Sequence, residues 1–266
     1  MYGRVVGTRR LTPGLIRLTL GGEGLDGFGM VDATDAYINV AIPPAGAGYG
    51  EIFDPREVRD SRPREQWPAR RRYTVRRWDP ELHLLEVDFV VHGDQGVAGP
   101  WAAAAREGTV LVFEGPAGGY RPDPDADWHL LVGDESALPA IAASLEVLPE
   151  GALGVVRLVC DGPEHEIDLP SPGRLDLRWL HRTGAPSDAG LLVDSLREIA
   201  FPRGRMHAFV HGEADEIRGI RRHLLIDHGY QRSEMSCSPY WRRHMTDEAW
   251  REVKRDFVTA MEHEVA

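Results

Sequence analysis

Leu130-Leu131-Val132-Gly133-Asp134-Glu135-Ser136-Ala137-Leu138-Pro139-Ala140-Ile141 runs from an apolar strand through a short polar turn into a helix. The strand spans His129 to Val132, and Leu138, Ile141, Ala142, Leu145 and Leu148 then recur at helical spacing. The alternation continues downstream. Strands are expected at Val155 to Cys160 and Leu175 to Leu180, a helix from Ala189 to Ile199, a strand at Ala208 to Val210 and a helix from about Asp215 to His228. Strands alternating with helices predict a parallel sheet covered on both faces, the nucleotide-binding type of α/β domain. A last helix begins at Asp247, capped by Thr246, with the stripe Trp250, Val253, Phe257 and Met261. Asp247 and Glu248 open it where the helix dipole favours acids.

Upstream of that stretch the pattern is different. Val5 to Thr12, Leu15 to Leu20, Ala36 to Ile42, Arg72 to Trp78, Leu84 to Val91 and Thr109 to Phe113 each read as a short strand. Gly21-Gly22, Pro43-Pro44, Gly46 to Gly50 and Gly93 to Gly99 punctuate them, which predicts an antiparallel barrel or sandwich. Tyr49 to Ala69 is polar and rich in Pro and Arg, and reads as a long loop over the barrel. Tyr120-Arg121-Pro122-Asp123-Pro124-Asp125 reads as the linker, dividing residues 1–121 from residues 122–266. A barrel followed by an α/β domain is the layout of ferredoxin-reductase-like flavoproteins; as a fold-level analogy it carries no chemistry by itself.

The whole chain narrows the classes. Its 266 residues carry 42% hydrophobic and 27% charged residues, the balance of a globular protein. A net charge of −11 disfavours non-specific nucleic-acid binding. No stretch approaches the roughly 18 to 20 apolar residues of a membrane span, and the N-terminus lacks a secretory signal, so a cytoplasmic protein without stable membrane association is expected. Cys160 and Cys237 are the only cysteines and form no CxxC pair, which argues against a disulfide framework, a Cys-rich zinc site or an iron–sulfur cluster. His207 and His211, four apart, flank a strand, where that spacing separates them by about 13 Å; no protein-bound metal is expected. Redox work would need a bound organic cofactor.

Two barrel segments carry candidate chemistry. In Arg71-Arg72-Tyr73-Thr74-Val75-Arg76, Arg71 and Arg76 can neutralise phosphate through the guanidinium fork. Tyr73 offers a flat ring to cover an isoalloxazine, and Thr74 a hydrogen bond to its polar edge. Asp88-Phe89-Val90-Val91-His92-Gly93-Asp94-Gln95-Gly96-Val97-Ala98-Gly99-Pro100-Trp101-Ala102 is a strand, a Gly-rich turn and the start of a helix. Backbone N–H groups at such a start suit a pyrophosphate.

These two segments, together with the Leu130 to Ile141 stretch, resemble the siderophore-interacting proteins, a family of FAD-dependent ferric-siderophore reductases. Gly212-Glu213-Ala214 leading into Arg218 to Leu224, and Tyr240-Trp241-Arg242-Arg243, agree with it in order along the chain. The resemblance implies an N-terminal Greek-key flavin-binding barrel and a Rossmann-like nicotinamide-binding domain. It implies FAD held by Arg71, Tyr73, Thr74, Val75 and Asp88, with His92, Gly96 and Ala98 at the turn under the diphosphate. It implies NADH or NADPH at Gly133, Asp134, Glu135, Ser136 and Ala137, where Glu135 could equally cap the helix and shape the turn. The implied reaction passes electrons from nicotinamide through flavin to iron(III) held by a siderophore; a ferredoxin-type donor is a second conceivable source. A flavin takes a hydride's electron pair and releases single electrons, so no catalytic side chain is expected. His92 is expected to be a hydrogen-bonded neighbour of the cofactor rather than a base.

The match departs from the family at the acceptor side. Asn39 stands where a lysine is common, Phe209 where a tryptophan is, His211 where a small residue is usual, and His244 where glycine is. Arg242 and Lys254, with Arg243 as a further candidate, remain as the basic residues for an anionic chelate, in a pocket between the barrel and the terminal helix; Lys254 could equally be a solvated lysine. A flavin reductase or diaphorase with another acceptor, or a non-catalytic siderophore-binding flavoprotein, stays open as an alternative.

Overall fold

The computed structural model describes residues 1–93 and 96–264 and divides into two compact units, Met1–Gly119 and Tyr120–Ala266. In the first, six strands close on themselves: β1 (Tyr2–Thr12), β2 (Leu15–Gly21), β3 (Tyr37–Ile42), β4 (Ala69–Asp79), β5 (Leu84–Val90) and β6 (Val110–Ala117). Their order around the barrel is β1-β2-β5-β4-β3-β6, antiparallel at every seam. Closure follows from period-two alternation: Leu18 and Leu20, Ile38 and Val40, Leu85, Val87 and Phe89 all point inward and are fully buried. β4 bulges opposite β5. Val75 faces Val87 and Arg77 faces Glu86, so Arg76 is the extra residue.

The stretch Tyr49 to Ala69 is not all loop. It holds α1 (Pro55–Ser61), whose N-cap Asp54 accepts from the Arg56 N–H at 2.7 Å with Pro55 in the first turn. Only Val58 of this helix is buried, so it shows no apolar period to read. After β5, α2 (Ala98–Ala104) seats Ala98 and Ala102 on the barrel core.

The second unit is a five-stranded parallel sheet of β7 (Trp128–Asp134), β8 (Leu153–Cys160), β9 (Arg174–His181), β10 (Met206–Glu213) and β11 (Met235–Trp241). Their order is β11-β10-β7-β8-β9, which puts the fully buried β7 at the centre. The helices are α3 (Leu138–Glu146), α4 (Leu191–Arg197), α5 (Ala214–Arg222) and α6 (Asp247–His263). Leu192, Leu196, Ile217 and Ile220 of α4 and α5 cover Leu130, Val132, Ala208 and Val210 on one face.

Four further details differ from expectation. β11 was not foreseen, because Met235-Ser236-Cys237-Ser238-Pro239 mixes polar residues with a proline; an edge strand tolerates both. A 3₁₀ turn at Pro186–Gly190 precedes α4, which begins only at Leu191. α5 ends at Arg222, and His223–Asp227 continue as a π-turn. In α6 the Thr246 hydroxyl caps as expected, accepting from the Ala249 N–H at 3.2 Å. Its packed stripe is Trp250, Phe257 and Met261, however, while Val253 is 37% exposed and Lys254 takes the half-buried place between. The outer strand β9 alternates exposed Arg174, Asp176 and Arg178 with half-buried Leu175, Leu177 and Trp179. Among the described residues no helix is long and apolar enough to cross a membrane.

Candidate functional site

On β4 the side chains of Arg71 and Tyr73 share one face by strand alternation, and Thr74 takes the other. The half-buried Tyr73 ring lies on Phe89, centroid to centroid 4.2 Å and tilted 34°, and Phe89 in turn meets Trp101 of α2 at 5.9 Å. An aromatic platform thus backs a ring that still presents surface to solvent. Arg71 is half-buried beside it and donates to the Arg70 carbonyl at 3.0 Å. Thr74 is 8% exposed, and the buried Val75 donates its N–H to the Ala36 carbonyl at 2.7 Å, which fixes the strand. Arg70 is committed elsewhere, to Glu114, which Arg56 also reaches at 3.0 Å.

The turn after β5 reaches α2 through Gly93 and Gly96, both at positive φ (53° and 76°). His92 and Gly96 are exposed, and Asp94 and Gln95 of the same turn lie outside the described residues. No side chain among the described residues caps α2, whose first residue is the buried Ala98. A Cβ at Gly99 would stand 3.0 Å from the Val90 carbonyl oxygen, a tight contact, so glycine eases the approach of this helix start to the end of β5. A platform ring, a neighbouring guanidinium and an uncapped helix start fit an aromatic dinucleotide such as FAD. Asp88 does not join them. It is buried, and Arg17 of β2 donates to its two oxygens at 2.6 and 2.8 Å, so it braces the strands rather than facing a ligand.

In the second unit the turn from β7 into α3 stands at the carboxyl edge of the sheet. A Cβ on Gly133 would lie 2.6 Å from both the Ala137 Cβ and the His211 carbonyl oxygen, so the turn closes only over glycine. Asp134 is 1% exposed and its carboxylate is the knot of this edge. One oxygen accepts from the Ser136 N–H at 2.9 Å and from the Ser136 hydroxyl. The other accepts from the Glu213 N–H at 3.0 Å and the Trp241 indole at 2.7 Å. Glu135 does not cap α3: Arg182 donates to both its oxygens at 2.6 and 2.8 Å, and also to Asp161 at 2.8 Å. Burial opposes the Arg182 charge, but these carboxylates outweigh it and hold its pKa above the usual value.

Residues with no role assigned from sequence complete this edge. Glu213 caps α5, accepting from the Asp215 and Glu216 N–H groups at 2.9 and 3.1 Å, while its other oxygen accepts from the Arg243 N–H at 3.1 Å. Glu216 is 1% exposed in its side chain and 3.4 Å from Arg243. Its second oxygen has no hydrogen-bond partner among the described residues. Burial pushes its pKa up to about 8, against Arg243 and reinforced by Asp134 and Glu213. The Gly212-Glu213-Ala214 and Tyr240 to Arg243 segments hinted at this, but the convergence of β7, β10 and β11 is tertiary.

The two basic candidates sit in different surroundings. Arg242 pairs with Asp215 at 3.5 Å and lies over the Phe257 ring at 5.1 Å. Lys254 neighbours His211, whose pKa is driven down to about 3 by burial and then by that ammonium. His211 bonds the Ser236 hydroxyl at 3.0 Å, and His207 accepts from the Asp123 N–H at 3.0 Å. No group of three or more metal-ligating side chains occurs among the described residues. Asn39 keeps its amide oxygen buried without a partner among them, while its carbonyl accepts from Arg70 at 3.3 Å. His244 has φ 62°, a left-handed conformation that glycine would adopt without strain.

Residues 4–120 match the family profile described as siderophore-interacting FAD-binding domain, and residues 126–244 match the profile described as siderophore-interacting protein. The ferric vibriobactin reductase of Vibrio cholerae is 35% identical over 90% of this chain and 88% of its own. An Escherichia coli protein named NADPH-dependent ferric-chelate reductase is 27% identical over 89% of this chain and 91% of its own. The crystal structure of a siderophore utilization protein from T. fusca superposes with a TM-score of 0.80 at 35% identity, covering 93% of this chain and 94% of that one.

Proposed function

The chain belongs to the siderophore-interacting protein family, and from that premise we propose that it is an FAD-dependent oxidoreductase passing electrons from a reduced nicotinamide to siderophore-bound iron(III). The observation that carries the reading is the presence in one chain of two sites: the Tyr73–Phe89 platform beside Arg71, and the Gly133 turn at the carboxyl edge of a parallel sheet. Bound FAD supplies the exchange between a hydride's electron pair and the single electrons that iron(III) accepts. The protein's own work is placement. Tyr73 covers the ring, Arg71 and the α2 start hold phosphate, and His92 flanks the diphosphate turn; Thr74, buried on the opposite face of β4, supports the strand rather than reaching the ring with its side chain. Gly133 lets the second turn close tightly against α3 and β10, and Asp134 fixes its shape. Arg242 and Lys254 are the cations assigned to the ferric chelate.

The test is anaerobic. Yellow holoprotein should bleach on adding reduced nicotinamide, and a ferric siderophore should then restore the colour while a ferrous-specific chelator reports iron(II). Bleaching without transfer to any ferric chelate would favour a diaphorase with another acceptor. Flavin that nicotinamide leaves oxidised would favour a binding protein.

A further inference from the structure

β8 and β9 end side by side, with Cys160 opposite His181 and the Arg182 N–H donating to the Cys160 carbonyl at 2.9 Å. The next residues out, Asp161 and Arg182, are therefore neighbours, and the Arg182 guanidinium joins Asp161 to the buried Glu135. Two carboxylates share one cation. Just past Asp161 the chain adds Glu164, 63% exposed in its side chain, and Glu166, which bonds the His181 ring at 2.8 Å. Asp161 itself keeps 50% of its side-chain surface in solvent.

This rim has a defined place in the fold. With the sheet order β11-β10-β7-β8-β9, the strands β7, β8 and β9 occupy the first, second and third positions of a mononucleotide-binding half. A dinucleotide whose pyrophosphate lies at the turn after the first strand brings its adenosine ribose to the end of the second. An acid there accepts from a ribose 2′-hydroxyl, whereas a 2′-phosphate needs guanidinium or ammonium groups with charge to spare. We propose that the Asp161 rim makes this protein select NADH over NADPH, Asp161 accepting from the 2′-hydroxyl and the excess of carboxylates repelling a 2′-phosphate. The inference rests on the nicotinamide reading above, and it sets this chain apart from the E. coli relative named for NADPH.

Two measurements on the FAD-loaded protein test it. Calorimetric titration with ADP-ribose and 2′-phospho-ADP-ribose reads binding without turnover, and single-turnover anaerobic reduction compares NADH with NADPH. The unphosphorylated ligand should bind at least tenfold tighter and NADH should reduce at least tenfold more efficiently. Added salt should shrink the deficit of the phosphorylated partners, because it screens repulsion. Asp161→Asn, which keeps an oxygen for Arg182, should narrow both ratios at least fivefold; the exposed Glu164→Gln should reduce their salt dependence. Equal preference, a preference for NADPH, or ratios unmoved by Asp161→Asn would overturn the inference while leaving the enzyme reading intact. Failure of both nicotinamides to reduce the flavin would sink that reading and the inference together.

Discussion

The indole N–H of Trp241 donates to the Asp134 carboxylate at 2.7 Å across 107 residues of chain, and the strands it joins are not neighbours. β11 and β7 lie on either side of β10, whose Glu213 N–H reaches the same oxygen. One carboxylate therefore ties three strand ends together at the edge assigned to nicotinamide. Trp241→Phe keeps most of the ring but removes the donor. A hydrogen bond to a charged group contributes about 1.5–3 kcal/mol, so the variant should lose stability of that order in denaturant unfolding followed in the second unit. An unchanged midpoint would mean that water replaces the indole at no cost.

FAD binding should depend on β4. Arg71→Ala leaves the Tyr73–Phe89 contact in place and removes one charge-assisted partner, worth roughly tenfold to hundredfold in affinity. Arg71→Ala combined with Tyr73→Ala should yield largely colourless protein with native circular dichroism. Full flavin content in the double variant at ordinary FAD concentration would remove β4 from the site.

Glu216 should give stability an unusual pH slope. Its folded pKa, about 8, lies above the 4.5 of an unperturbed carboxyl. Below about pH 4.5 both folded and unfolded chains hold the proton and nothing is lost. Between 4.5 and 8 the unfolded chain releases a proton that the folded protein keeps, so this group's contribution falls as pH rises. Glu216→Gln removes that loss. Its stability gain over the native protein should grow from pH 5 to pH 8, reaching on the order of a few kcal/mol. Thermal melts of the two proteins across this range decide it, and parallel curves would show that Arg243 keeps Glu216 ionised.

For the ferric chelate, Arg242→Ala with Lys254→Ala should raise the Michaelis constant at least threefold and leave flavin reduction by nicotinamide nearly unchanged. Salt should weaken the native protein more than the variant, since charges are screened within about 8 Å at physiological ionic strength. Because Arg242 also rests on Phe257, the melting curve of the variant belongs with the kinetics. Identical constants and salt response would move the acceptor site elsewhere.

Much of this architecture is legible in the chain. All six barrel strands and the β7-turn-α3 unit announce themselves by period and by turn residues, because their burial is one-sided or complete. α1 and β11 do not, since one buries a single valine and the other carries Pro239 at an edge. The site divides in the same way. Arg71, Tyr73 and Gly133 are local and readable, whereas Asp88 turns out to be answered by Arg17 from another strand. Glu135 is answered by Arg182, 47 residues on, a pairing that the parallel registers of β7 with β8 and of β8 with β9 together create. Lys254 replaces Val253 on the packed face of α6 because a stripe stepping by four and three residues from Trp250 passes through it.

The strand order also governs self-association. A closed barrel offers no row of unpaired amides, so strand addition by another polypeptide is confined to the outer strands of the parallel sheet. β9 defends its side with Arg174, Asp176 and Arg178 on every second residue, the central one tethered by the buried Arg157 at 2.8 Å. An incoming strand would have to desolvate that alternating charge while pairing with a backbone made for it. Arg174→Val with Arg178→Val strips the gatekeepers, so light scattering should report assemblies that grow more steeply with concentration for the variant than for the native chain.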